Sequence, residues 1–562
     1  MWGKVLGRPR PLALGLAGVY GGLCAGWCAA LLGAATPLPA GAQSPPPMAL
    51  PLPQALQVQR YEVQGNTLLP QAAIDAATAP YTGRVTIARL REAAAAVQAL
   101  YRDAGYGGVV AFLPEQALDA GVVRIRVVEG RLARVELGGQ RAFSAENVRA
   151  SLPSLQEGRT PEVRRIDAQI QMANENPAKS TQVLLQPGAQ PGEVVAKVTL
   201  QEAEVLRFTG RVDNTGGKNI GRWRAALGVS HANLLGRDHI GALELQTAPE
   251  NADAVAVLSG SYRVPFYAQG LALDVYGALS NVDAGTVGTA AGDLSFSGQG
   301  GIVGARLGWY LPRQGNVDQR LIAGLELREY DNECRIAGLP DGACGSAGAS
   351  VSAQPLSLTY TAQASGEWRW GLSLGLHANL AAGGRHGEAA DFEAVRAGSK
   401  PRYTVWRANG QLAVPVGEWG SLAARLAVQQ AGQPLIPGEL FGVGGAQSVR
   451  GFEERELAGD NGASLSLEAQ SANLAAAWPA LAWLRGGDVR VLLFADAGFV
   501  SNHDEAACLA GRNDCRMGSL GLGLRAARGP WQLRLDVARA FSTASTTAKG
   551  DVRAHLALLF NH

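Results

Sequence analysis

An arginine working away from bulk water needs an acidic partner, and this 562-residue chain carries a candidate for each role late in its length. Arg450 stands in a stretch from Gly442-Val443-Gly444-Gly445 to Gly451, too rich in glycine for a strand. Asp496 lies on a run whose outward residues, by alternation, are Val489, Val491, Leu493 and Ala495, which turns its carboxylate inward. A planar guanidinium fork on that carboxylate would make a firm anchor. Spacing and alternation alone favour two unrelated charges, one in an outer loop and one in a wet interior, over such a contact.

Other residue types point away from catalysis. Gly371-Leu372-Ser373-Leu374-Gly375 fits the spacing of a hydrolase nucleophile elbow, but it sits inside the alternating run of Leu372, Leu374 and Leu376 with no helix after it. An elbow needs strand, turn and helix, so a strand with small inward residues is the better reading. The seven histidines form no metal-ligand spacing. Gly216-Gly217-Lys218 lacks the spacing of a phosphate-binding loop. Glu326, Glu468 and Asp536 fall at inward positions and suit pore-lining charge. No catalytic residue, cofactor or metal site is expected. Four cysteines fall as two local pairs, Cys334 with Cys344 and Cys508 with Cys515, in polar stretches. In an exported chain they would staple two loops as disulfides. A single zinc site fits less well, because neither pair has the short gap that zinc favours.

The elements that would position these residues divide into two patterns. From Leu206 onward the period is two. Leu271, Leu273, Val275 and Leu279 alternate with Ala272, Asp274, Tyr276 and Ala278. Trp531, Leu533, Leu535 and Val537 alternate with polar residues, and Val552 to Phe560 makes a terminal strand of the same kind. One face suits lipid and the other water, as in a membrane barrel. Trp309, Tyr310, Trp368, Trp370, Trp406 and Trp531 lie near strand ends, where an interfacial belt would need them. Residues 205–562 suffice for about 14 to 18 antiparallel strands, an even number being expected. Residues 58–204 instead read strand, helix, helix, strand, strand, twice over: 58–130 and 131–204, two small α+β repeats. All but two of the eleven tryptophans lie at or beyond Trp223, and 43–204 has none, which sets the boundary near 205.

Residues 1–42 read as a secretory signal. Lys4, Arg8 and Arg10 precede an apolar stretch, and Ala40-Gly41-Ala42 offers a cleavage site. Removing this leader removes three positive charges and no acid, so a net charge of +2 becomes −1. That balance gives no footing for nucleic acid. A Pro-rich lead, 43–57, follows. Charged residues make up only 17%, glycine numbers 72, and mean hydropathy is +0.01. These values disfavour both a disordered chain and a helical membrane protein. Past residue 42 no apolar run reaches the ~18 residues of a membrane helix, so a membrane-spanning form must be a closed barrel.

The ordered motifs add a resemblance. Val63-Gln64-Gly65-Asn66-Thr67-Leu68-Leu69-Pro70, then Tyr101, Gly105-Tyr106, Leu113-Pro114-Glu115-Gln116 and Val128-Glu129-Gly130 look like a first polypeptide-transport-associated (POTRA) domain. Asn176-Pro177 and Gln186-Pro187-Gly188 are similar to a second. Asp213-Asn214-Thr215-Gly216, Asn233 to Asp238, Val449-Arg450-Gly451-Phe452 and Phe494-Ala495-Asp496-Ala497-Gly498 follow in the barrel region. Together they resemble the outer-membrane transporters of two-partner secretion, the haemolysin and filamentous-haemagglutinin branch of the POTRA-plus-barrel superfamily.

The resemblance implies a fold of about 16 antiparallel transmembrane strands after two periplasmic POTRA domains. It implies an Arg450–Asp496 contact, with Val449 to Phe452 at the tip of a loop folded into the lumen and Phe494, Asp496 and Gly498 receiving it. The implied function is type V secretion of an exoprotein (an adhesin, haemolysin or contact-dependent toxin), captured unfolded by POTRA edge strands whose residues the sequence does not single out. Outer-membrane lipid and the barrel-assembly machinery would be further partners. A barrel-assembly insertase usually carries more repeats, and a passive porin needs none. The family's N-terminal plug helix is not expected from so short a lead, and Asn561-His562 extends beyond the usual final aromatic, Phe560.

Overall fold

The computed structural model describes residues 55–117, 121–217, 221–252, 255–281, 285–289, 292–296, 299–331, 346, 349–475, 486–503 and 507–562. The leader 1–42, most of the lead and the pair Cys334 and Cys344 lie outside the described residues. The chain forms two compact units, one holding the described residues up to Leu100 with Ala111–Val127, the other Tyr101–Val110 with Val128–His562.

In the first repeat β1 (Leu56–Val58) pairs with β3 (Gly83–Val85). β2 (Arg60–Gln64) runs parallel to β5 (Val122–Glu129), with β4 (Val109–Phe112) on the far edge. Helix α1 (Gln71–Thr78) and helix α2 (Ile87–Asp103) cover the sheet's apolar face. Leu90, Ala94 and Val97 recur at helical spacing and are buried with Ile74 and Ile125. The motif turn has its own logic. Gly65 sits at φ +87°, where a Cβ would lie 2.3 Å from the Val127 carbonyl oxygen. Asn66 closes the turn by accepting from the Leu69 amide at 3.1 Å and donating to its carbonyl at 2.9 Å.

In the second unit β6 (Arg131–Gly138) lies parallel to β8 (Glu193–Glu202), which pairs with β7 (Lys179–Pro187). Helix α3 (Ala145–Ser151) starts where Ser144 Oγ accepts from the Asn147 amide at 3.1 Å. Helix α4 (Val163–Ala173) follows, and Phe143, Val148, Leu152, Val198 and Leu200 form the core.

The barrel then begins with β9 (Leu206–Asp213), β10 (Arg224–Leu234), β11 (His239–Thr247), β12 (Ala256–Phe266) and β13 (Leu271–Ser280). A separate hairpin, β14 (Gly285–Thr289) with β15 (Gly292–Phe296), precedes β16 (Gly300–Gln314) and β17 (Val317–Tyr330). β18 (Val351–Ala353) and β19 (Pro355–Ala364) act as one strand interrupted at Gln354. β20 (Arg369–Asn379) leads through helix α5 (Ala389–Val395) to β21 (Thr404–Val416) and β22 (Gly420–Ala431). The next loop contains the short pair β23 (Phe441–Val443) and β24 (Leu457–Gly459). β25 (Asn461–Ser471), β26 (Asp488–Ser501), β27 (Asp514–Arg528), β28 (Trp531–Ala540) and β29 (Val552–Asn561) complete it, and β29 returns to β9. Among the described residues this is a closed antiparallel barrel of 16 strands, counting β18 and β19 as one.

Alternation decides which side chains meet the outside. Leu227, Leu243, Leu279 and Leu522 are exposed outward, while Tyr276, Glu326, Asp496, Asp536 and His555 are buried inward. Ser373 lies mid-strand on β20 with Asn409 and Thr361 opposite, so Gly371 to Gly375 is barrel wall. Two expectations fail locally. Val489 keeps its outward parity but is not exposed, because Ala475 packs over it beside Leu524 and Ala526. Tyr310 is not in an interfacial belt. It is one residue past the outward Trp309, so it faces in and packs on Met172 and Ala173 of α4. Cys508 and Cys515 are joined as the sequence suggested, with their Cα atoms 6.2 Å apart. Among the described residues no helix is long and apolar enough to cross a membrane.

Leu522 is 66% exposed at mid-strand. Leu522→Arg should destabilise the lipid-embedded barrel by about 2–4 kcal/mol, read as a lower denaturant midpoint in liposomes.

Candidate functional site

The inner wall from β25 to β29 is built to hold one guanidinium. Register places Ser466 opposite Asp496, Glu468 opposite Phe494, Phe494 opposite Gly521, and Asp536 opposite His555, all facing inward. The loop after β22 brings Arg450 down onto this patch, where it is 1% exposed. Its Nε donates to Asp496 Oδ2 at 2.7 Å and its Nη2 to Oδ1 at 2.8 Å, a two-pronged fork. The backbone amide of Arg450 donates to the same Oδ2 at 3.1 Å. Nη2 also reaches Ser466 Oγ at 3.0 Å, and Nη1 lies 2.8 Å from Glu468 Oε1 and 3.7 Å from Asp536 Oδ1. The Phe494 ring lies under the guanidinium carbon at 3.4 Å.

Arg425 shares Glu468 at 2.8 Å, and Arg525 shares Asp536 at 2.8 Å. Arg534 faces the same carboxylates, so four guanidiniums meet three carboxylates on this wall. Such a cluster orients the loop strongly but contributes little net stability, because desolvation offsets most of the attraction.

The small residues of both motifs make room for this fit. Gly451 has φ +95°, and a Cβ there would press on Ala538 at 3.1 Å. Its amide donates to His555 Nε2 at 2.9 Å, tying the tip to the closing strand. A Cβ at Gly498 would lie 2.9 Å from Val449 Cγ2. Phe452 is fully buried among Val443, Val449, Leu457, Val500 and Met517. Thus Phe494 supports the guanidinium, Asp496 binds it, and Gly498 admits the loop: three consecutive inward positions with three jobs. The structure brings together Val449, Arg450, Gly451, Phe452, Phe494, Asp496 and Gly498. Cys508 and Cys515 staple the loop between β26 and β27 beside the Phe452 cluster. Sequence reasoning missed that Ser466, Glu468, Asp536 and His555 share this site. Their inward parity was visible, but their register was not.

A second charged junction joins the α+β repeat of this unit to the barrel. Lys179 Nζ contacts Asp238 Oδ2 at 2.5 Å, and both side chains are buried. Tyr267 donates to the same oxygen at 2.8 Å. Burial pulls the Lys179 ammonium below its ordinary value, opposed by Asp238. Asn176 donates to the Ala232 carbonyl at 2.6 Å, and Asn147 to the Gly236 carbonyl at 2.6 Å. Glu175 takes Arg263 and Arg320 at 2.5 Å each. The motif turn from Asn233 to Asp238 is therefore a docking surface for the repeat.

Arg450→Ala should leave Asp496 buried without its fork, a loss of about 3–5 kcal/mol of loop anchoring, less where water enters. Arg450→Lys keeps the charge but not the fork, and should recover only part of it. Single-channel recording should find both variants open far more often than the parent, with heat-modifiable mobility showing an intact barrel. A closed parent-like record from Arg450→Ala would remove the lock from this site.

A family model for the haemolysin secretion/activation protein ShlB/FhaC/HecB matches residues 192–526, and one for the ShlB-type POTRA domain matches 56–130. The outer membrane transporter CdiB of Dickeya dadantii is 25% identical over 448 residues, covering 78% of this chain and 75% of its own. The CdiB of Escherichia coli strain 536 is 26% identical over 471 residues, covering 80% and 73%. The solved structure of CdiB from Escherichia coli has the same fold, with TM-score 0.72 at 20% identity over 92% of this chain and 93% of that one. With its lumen loop, its POTRA domain and its 16-stranded barrel in the outer membrane, the chain belongs to the haemolysin secretion/activation family, ShlB/FhaC/HecB.

Proposed function

We propose that the protein is a two-partner secretion translocator, which takes one unfolded exoprotein from the periplasm on its α+β repeats and passes it outward through the barrel. The observation that carries this reading is the Arg450 loop pinned across the inside of a closed barrel. A fixed pore for small solutes has no need of a displaceable plug with a specific lock. Release of Arg450 from Asp496 clears the lumen for an extended chain, and rebinding shuts it.

Capture falls to the repeats. Beside β6 a groove of about 430 Å³ is lined by Val135, Leu137, Val148, Leu152 and Leu155. β6 is an edge strand of its sheet. An extended client adding to that edge gains backbone hydrogen bonds with little sequence demand and seats apolar side chains in the groove. This suits a long repetitive adhesin, haemolysin or contact-dependent toxin. Outer-membrane lipid surrounds the apolar wall, and the barrel-assembly machinery inserts the chain. The sequence has no nucleotide-binding loop, and the chemistry is transport rather than catalysis. Net movement then comes from the client folding outside, which blocks its return.

Leu137→Glu places a charge in the groove and should weaken capture of an unfolded client fragment by the purified protein about tenfold, read by fluorescence anisotropy. Unchanged binding would remove the groove from the path. A client mutated so that it cannot fold should accumulate in the periplasm, and undiminished export of it would refute the proposed driving force.

A further inference from the structure

The Arg450 lock acts on one arc of the barrel, β25 to β29. A different cluster occupies the adjoining arc, β17 to β22, at the end away from the α+β repeats. The loop 380–403 carries α5 and folds back over the barrel mouth. Phe392 and Val395 of α5 are buried against Leu435 and Ile436, at the root of the lumen loop. The same cluster includes Tyr330 at the end of β17, Val351 and Ala353 of β18, Val405 of β21 and Ala431 of β22. These residues line the inner rim of neighbouring strands. The helix therefore plugs this side of the mouth, and no strand pairing ties it to the lumen loop.

One carboxylate fixes the plug. Asp460 is fully buried where the lumen loop enters β25. Arg396, at the end of α5, places Nη1 on Asp460 Oδ1 and Nη2 on Oδ2, both at 2.7 Å. Nη1 also donates to the Leu435 carbonyl at 2.7 Å. The Leu435 amide donates to Oδ1 at 2.7 Å, and the His503 amide to Oδ2 at 2.9 Å. Asn502 accepts from the Asp460 amide at 3.1 Å. Three outer loops thus meet on one residue. Below it Glu439, also buried, holds Arg328 at 2.5 Å and Arg407 at 3.1 Å.

We propose that Asp460 and Arg396 form the latch of a second, outer gate, which holds α5 over the barrel mouth and must release for export in addition to Arg450. The inference rests on the translocator reading above. A buried fork of this kind suits a latch. Separated, both charges rehydrate, so the open state loses little; together, they accept only one geometry. Phe392 and Val395 exclude water while the gate is shut. Asp460 is a positioning residue, acting through the loops it gathers.

The closed gate is tested first without any client. Full-length protein in planar bilayers should show about tenfold more open time as Arg396→Ala or Asp460→Asn than as the parent. The exchange Arg396→Asp with Asp460→Arg should restore part of the closure, which a general loss of packing would not do. Parent-like records from both single variants, with heat-modifiable barrels, would overturn the latch. Because these variants perturb a buried site, a lock supplies the second arm. Arg396→Cys and Asp460→Cys bridged by a short bismaleimide should cut export at least about tenfold in cells, while each single cysteine capped with maleimide keeps exporting. Undiminished export through the bridged protein would overturn the gate. Absence of export from the parent would instead count against the translocator reading.

Discussion

A strand in hydrocarbon must pair every backbone amide with another strand, and this requirement reaches its weakest point where the barrel closes on itself. The ladder of β29 on β9 runs only from Ala557 opposite Asp213 to Asn561 opposite Thr209, whereas β26 and β27 pair along the whole of Asp488 to Ser501. Phe208 and His562 exchange amide bonds at 3.0 Å to extend the seam at one end. At the other, the Asn214 side chain stands in for missing backbone. It donates to the Ala554 carbonyl at 2.8 Å and accepts from the Leu556 amide at 2.8 Å. The first motif of the barrel thus serves closure, and every inward residue depends on that closure for its position.

Once closed, the interior imposes a second demand. Charges there have too little water to stand alone, so each must find an opposite within reach. Arg450 answers with Asp496, Glu468 and Asp536, and Glu326 answers with Arg306 at 2.8 Å and Arg328 at 2.5 Å. A guanidinium suits this role better than an ammonium. It offers a flat fork to the carboxylate, its face to Phe494 and a spare nitrogen to Ser466, all at once. The glycines at 451 and 498 then follow as the space that such a fit requires, not as generic loop residues.

The barrel class and the inward face of Asp496 are legible from period two alone, because side-chain direction depends only on parity. The pairing of Arg450 with Asp496 came through the resemblance, and the structure places the two in contact. Parity stops short of two things. It does not say which inward residues are opposite each other, which is why Glu468 and Asp536 looked like isolated pore charges and His555 like an unremarkable histidine. Nor does it register what a loop or neighbouring domain lays over a strand. Val489 lost its outward exposure to the turn bearing Ala475, and Tyr310 became a docking residue for α4. Cys508 and Cys515 were easier, since a pair so close in sequence closes a loop by itself. The partners of Arg396 were invisible, because Asp460 lies far along the chain and on another loop.

The charged junctions share one design. Lys179 with Asp238, Arg450 with Asp496, and Arg396 with Asp460 each join segments that no β-ladder connects. An apolar patch alone would hold such segments with loose geometry, and a continued ladder would hold them permanently. A buried ion pair lies between these limits. Its attraction is nearly offset by desolvation, so its removal by separation into water is inexpensive, yet any shifted arrangement leaves a bare charge in a dry site and is strongly disfavoured. Parts that must part and return to one position are best joined in that way. In this chain the ladders build the permanent wall, and the ion pairs mark the repeat, the lumen loop and the outer helix that rest on it.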